Sequence, residues 1–125
     1  METPIVDFSF IYDMSDNDTA YVYEIISLFI ETVSTGLVKL EQLIRKTNDF
    51  EAIGRQAHFL KSSANVIKVR DMYDDLLGIN TLARQGTGKD KMIPMLDNMI
   101  ANFNEARPIL IAEKEKNKPA ETPAG

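Results

Sequence analysis

The stretch "YVYEIISLFIETVSTGLVKLEQLI", residues 21–44, decides the fold. Val22, Ile25, Ile26, Phe29, Ile30, Val33, Leu37, Leu40 and Ile44 recur at steps of mostly three and four, the interval that gathers side chains onto one stripe of a helix. Asp18, just upstream, suits the N-cap, because its side-chain oxygen can accept from unpaired amides of the first turn. Gly36 interrupts the run at a cost of about 1 kcal/mol relative to alanine, and marks either close packing or a bend.

The same period extends in both directions. Upstream, Phe8, Ile11, Tyr12 and Met14 predict a short helix ended by the polar "SDND" turn. Downstream, "KTND" breaks the pattern, and Asp49 caps a second long segment with its stripe at Ile53, Ala57, Leu60, Ala64 and Ile67. After an irregularity at residues 68–71, Met72, Leu76, Ile79 and Ala83 form a third segment. "RQGTGKD" reads as a loop whose glycines suit a helix C-terminus and a turn. A last helix carries Met92, Ile93, Leu96, Met99, Ile100, Phe103 and Ala106, with Pro94 in its first turn, where a missing amide does little harm. Pro108 is expected to kink or end it.

No strand pattern survives. Residues 113–125, "EKEKNKPAETPAG", lack large apolar side chains and read as a disordered tail. The expectation is an all-α domain over residues 1–112: an antiparallel four-helix bundle with a short additional N-terminal helix.

Composition narrows the function. A chain of 125 residues, 44% hydrophobic, suits one domain with one apolar core. It has no cysteine and a single histidine, which removes disulfides, thiolate sites and a multi-histidine zinc centre; carboxylates alone could still bind a hard cation, but no metal site is expected. The N-terminal residues show no signal-peptide pattern, and no run approaches the roughly 18 apolar residues of a membrane span, so a soluble cytoplasmic protein is expected. A net charge of -5 repels phosphate backbones and argues against nucleic acid as a partner.

Chemistry concentrates in the second long segment. His58, Lys61, Ser62 and Asn65 share a helix face, with Gly54 one turn before the histidine. Arg55, Lys61, Lys68 and Arg70 fall in a window without acidic residues, a basic island able to hold a phosphoryl group or steer an acidic partner over a Debye length of about 8 Å. Small residues at 62–64 keep the surface low beside His58, and Phe59 belongs either to an apolar docking patch or to the core. The acidic run Asp71, Asp74, Asp75 reads as a solvated helix face and not a cation site. "GTG" before Lys89 is too short for a nucleotide loop and lacks a preceding strand, so an ATP-dependent kinase is not expected.

"AHFLKSSANVIK", residues 57–68, resembles the signature of the histidine phosphotransfer (HPt) domain family, close to A-H-x-L-K-G-S-s with a later glycine. Ala57, His58, Leu60, Lys61 and Ser63 fit it. "INTLARQG", residues 79–86, resembles the family's L-E-x-x-A-R-x-G segment, and the similarity runs without gaps over roughly residues 5–112. The resemblance implies a phosphoacceptor role for His58 and an electrostatic one for Lys61. It places Asn80 where relatives have a polar residue that hydrogen-bonds near the imidazole, with Ser62 and Arg84 as auxiliary groups and Gly54, Arg55, Phe59 and Asn65 in partner docking. Two positions depart from the pattern: Ser62 and Lys68 stand where glycines are usual.

What the resemblance implies is a monomeric phosphorelay module, exchanging a phosphoryl group with response-regulator receiver domains and with a hybrid sensor histidine kinase. It would carry no cofactor of its own, with Mg2+ on the receiver. The alternative is a non-catalytic module that binds a receiver or another helical protein.

Overall fold

The computed structural model describes residues 4–119. In chain order the elements are β1 (Val6–Asp7), α1 (Ser9–Ser15), α2 (Thr19–Lys46), α3 (Phe50–Val66), β2 (Lys68–Val69), α4 (Met72–Gln85) and α5 (Lys89–Lys116). The four long helices close a ring in which α2 packs on α3 and α5, and α4 packs on α3 and α5. The fold is the expected all-α bundle with a short N-terminal helix.

Local chemistry sets most boundaries. Asp18 accepts from the Tyr21 amide at 3.3 Å and Asp49 from the Ala52 amide at 3.0 Å, so both expected caps form. Gly86, at φ 66°, ends α4: its amide donates to the Ala83 carbonyl and that of Thr87 to Leu82. This is the paired bonding of a left-handed helix C-cap. Gly88, at φ 84°, then opens α5.

The core runs along one stripe of each helix. Val22, Ile26, Phe29, Val33, Leu37, Leu40 and Ile44 of α2 meet Ile53, Ala57, Leu60 and Ala64 of α3, Leu76 and Ile79 of α4, and Met92, Leu96, Met99, Phe103 and Leu110 of α5. By length and hydropathy α2 could cross a membrane; its buried stripe packs into the core of the bundle, while Leu28 and Val38 remain exposed. Gly36 marks close packing. A Cβ there would overlap Leu60 Cδ2 and lie 3.3 Å from Leu60 Cγ, and the Gly36 carbonyl accepts from Gln56 Nε2 at 3.1 Å.

Three expectations about the elements need correction. A small strand pair exists: Val6 pairs with Val69 and Asp7 with Lys68, antiparallel, and the Arg70 amide donates to the Ile5 carbonyl at 2.8 Å. Two residues per strand are too few to show alternation in sequence. Lys68 therefore lies in extended backbone and needs no glycine; the left-handed residue of the α3–α4 turn is Asp71, at φ 60°.

The second correction concerns the prolines. Both lie inside α5 without ending it, and with α5 starting at Lys89, Pro94 stands beyond the first turn. Each removes one helical hydrogen bond, yet both prolines are exposed, as are Asp90 and Asn104, whose carbonyls lose their donors, so water can serve those carbonyls.

Third, the tail expected from residue 113 begins too early, because α5 continues to Lys116 and Asn117 is buried. The Tyr12 hydroxyl donates to Glu113 Oε2 and accepts from Asn117 Nδ2 at 2.8 Å, and Asn117 Nδ2 also donates to the Glu113 carbonyl at 2.9 Å. This clasp ties α1 to the end of α5. Residues 120–125 of the expected tail lie outside the described residues. Tyr12→Phe should cost about 1.5–3 kcal/mol, the range for a hydrogen bond to a charged acceptor, measured by urea unfolding.

The acidic run at the start of α4 is only partly a solvated face. Asp71 and Asp74 are exposed, but Asp75 sits in the α4–α5 seam and accepts from Asn98 Nδ2 at 2.8 Å. Burial pushes its carboxyl above the usual range, and Asp71 and Asp74 add to the rise. A carboxyl raised in the folded state favours folding while protonated and loses that contribution as pH rises through its folded value. Asp75→Asn should therefore raise Tm at pH 7, and the gain should shrink as pH falls through the aspartate range.

Candidate functional site

The apolar stripe of α3 faces inward, which turns His58, Phe59 and Ser62 outward along the seam with α4. A concavity of about 790 Å³ follows this seam, lined by Phe50, Glu51, Gly54, Arg55, His58, Phe59, Ser62, Asn80, Ala83 and Arg84. His58 is exposed on its α3 wall, and among the described residues neither ring nitrogen has a hydrogen-bond partner. Seven of the residues expected from sequence are thus brought together: Gly54, Arg55, His58, Phe59, Ser62, Asn80 and Arg84.

Two expected residues stand apart. Asn65 lies beyond the groove, in a second hollow at the base of the bundle with Lys68, Arg70 and Tyr73. Lys61 is half-buried on the same helix turn as His58 but does not line the concavity. Its ammonium has no ion pair among the described residues, and a flexible four-carbon stem lets it swing toward a group on the imidazole one turn away.

The charge pattern is also less one-sided than a basic island. Arg55 pairs with Glu51 at 2.7 Å, both well exposed, which is worth little to stability but neutralises that cation. Lys68 faces Asp7, whose carboxyl is held below its usual range chiefly by hydrogen bonds from Ser9, with Lys68 a smaller contributor. Arg84 makes no ion pair among the described residues.

Asn80 departs from the expected geometry. It is buried, 6% exposed, and its Nδ2 donates to the Gly54 carbonyl at 2.9 Å in place of reaching the imidazole. Side chains on a helix lean toward its N-terminus, and α3 and α4 run antiparallel. His58 and Arg84 therefore lean toward the Asn80–Gly54 bond from opposite sides of the groove.

Phe50, Glu51 and Ala83 complete the groove and were not anticipated. Phe50 could have been found by stepping back a further turn along 62, 58, 54, 50. Ala83 carries no local signal, since its place depends on how α4 packs. On the other flank of α3, Ile25, Leu28, Phe29, Thr32, Phe59, Ser62, Ser63 and Val66 line a hollow of about 330 Å³ against α2. Leu28 and Phe59, 60% and 54% exposed, stand at its mouth, so Phe59 belongs to an apolar surface and not to the core. The arrangement presents one exposed imidazole, Lys61 and Arg84 without ion pairs among the described residues, a low floor and apolar flanks. It suits a group exchanged with a second protein more than a small molecule enclosed in a cavity. No cluster of metal-ligating side chains occurs among the described residues.

Comparison with known proteins agrees with this geometry. The family model of the Hpt domain matches residues 24–106, while no curated protein and no solved structure matches the chain. The match takes in more than half of the sequence, reaches all four long helices and contains the whole His58 groove, so the chain belongs to the Hpt domain family, the histidine phosphotransfer modules of phosphorelays.

Proposed function

We propose that the protein relays a phosphoryl group between receiver aspartates through His58. The observation that carries the reading is the exposed, unbonded imidazole lining an open groove in a member of this family. An unprotonated ring nitrogen attacks the phosphorus of a receiver's aspartyl phosphate in line. The N–P bond forms as the acyl-phosphate P–O bond breaks, the receiver's carboxylate leaves, and the ring's second nitrogen can later shed its proton to solvent. Transfer onward to another receiver reverses these steps.

The transition state is loose and charged, so positioning and cations do most of the catalytic work. Lys61 supplies charge from the same helix, and Arg84 supplies it from α4. Ser62 keeps the floor low enough for a receiver to approach and offers a hydroxyl to a phosphoryl oxygen. The apolar surface of Leu28 and Phe59, with Gly54 and Arg55 along the groove, receives the partner. Asn65, exposed one turn beyond Ser62, extends this docking face past the groove. Mg2+ belongs to the receiver's acidic pocket, and the other partner class is a hybrid sensor histidine kinase. The protein acts as a monomer and is a carrier, not an autonomous kinase.

Incubation with a panel of phosphorylated receivers should move label onto this chain within minutes. Failure with every receiver that binds it, with binding unaltered in His58→Ala, would replace this reading by that of a non-catalytic interaction module.

A further inference from the structure

We infer that Asn80 is a positioning residue that sets the register of α4 against α3, and thereby the placement of Arg84 relative to His58. The inference rests on the phosphotransfer reading above. It differs from a contact with the imidazole, because the side-chain amide of Asn80 is spent on the Gly54 carbonyl at 2.9 Å. In a helix that carbonyl also accepts from the amide four residues on, which is His58's own. One acceptor thus joins the turn that carries His58 to the turn that precedes Arg84.

Stability gives little reason for an asparagine at this point. On its core side the seam is apolar, built from Ile53, Ala57 and Leu60 of α3 and Leu76, Ile79 and Ala83 of α4, while on its outer side Asn80 lines the groove. Burying an amide there for one hydrogen bond returns about as much as filling the space with an apolar side chain. Close approach does not require it either, since even a Cβ at Gly54 would rest in ordinary contact, 3.4 Å from Ala83 Cβ and 3.7 Å from Asn80 Nδ2. An apolar seam tolerates sliding between helices, whereas one directional bond in it selects a single register. A shift of α4 along α3 would carry Arg84 toward or away from the imidazole, and misplacement on the order of 1 Å is enough to slow a transfer reaction severely.

The test uses the full chain with Asn80→Leu, Arg84→Ala and the double variant, measured for urea unfolding and for the rate of transfer from a phosphorylated receiver. Asn80→Leu should unfold at or near the wild-type midpoint yet transfer about tenfold more slowly. Arg84→Ala should slow the wild type but have little further effect in the Asn80→Leu background, because the two act through one placement. Asn80→Gln serves as the conservative check and should recover part of the rate if its longer amide regains the Gly54 carbonyl. Wild-type speed in Asn80→Leu, or an equal Arg84→Ala effect in both backgrounds, overturns the assignment while leaving phosphotransfer intact. A wild-type chain that accepts no phosphate removes both readings.

Discussion

His58→Gln should abolish phosphoryl transfer, to below one part in a thousand of the wild-type rate, while leaving fold and partner binding unchanged. A carboxamide has no basic nitrogen to form the N–P bond, and the chain offers no second imidazole to replace it. The side chain is exposed and has no hydrogen-bond partner among the described residues, so its replacement removes no packing or polar contact from the body of the bundle. Surface substitutions of that kind usually change stability by less than about 0.5 kcal/mol. Receiver affinity, measured by titration calorimetry, should stay within about twofold, because the apolar flanks at Leu28 and Phe59 are untouched. Loss of binding together with transfer would mean that His58 serves docking rather than chemistry.

The largest stability effect is expected where α2 meets α3. Gly36→Ala places a methyl group against Leu60, which is fully buried and hemmed by the helix that carries it. Overpacking of this kind costs about 1–3 kcal/mol, and the better helix propensity of alanine returns only about 1 kcal/mol. Leu60→Ala alone should cost about 2–5 kcal/mol through the cavity that it leaves. The two are in contact and should be far from additive: once Leu60 is shortened, Gly36→Ala loses its clash and fills part of the void, so the double variant should be more stable than Leu60→Ala. Urea unfolding of the four proteins measures the coupling. Additive losses would show that α2 and α3 do not meet at this glycine.

What could be read from sequence was what depends on near neighbours. The stripes of the four helices, the caps at Asp18 and Asp49 and the glycine loop between α4 and α5 each follow from a few adjacent residues, and all appear in the structure. The length of α5 was hidden because its end is held from a distance. "EKEK" has no apolar stripe, and only Tyr12, 101 residues earlier than Glu113, shows why the helix persists. The β pairing was hidden for the same reason, since Val69 finds its partner at Val6.

The site divides in the same way. A helical wheel groups His58, Lys61, Ser62 and Asn65 on one face, but it does not show which of them border α4. The groove follows the α3–α4 seam, which takes in Phe50 and Ala83 and leaves Asn65 outside. Asn80 lies in the expected place, yet its hydrogen bond goes to the backbone of Gly54, a choice set by how closely the two helices approach.

The central claim is that His58 carries the phosphate, and locating the modified residue tests it most directly. After incubation with a phosphorylated receiver, the chain should be digested at alkaline pH and the modified peptide sequenced by mass spectrometry. The account predicts a single phosphate on His58, stable to base and lost within minutes in acid. An acid-stable phosphate on Ser62 or Ser63, or an unmodified chain after the receiver has lost its label, would contradict it.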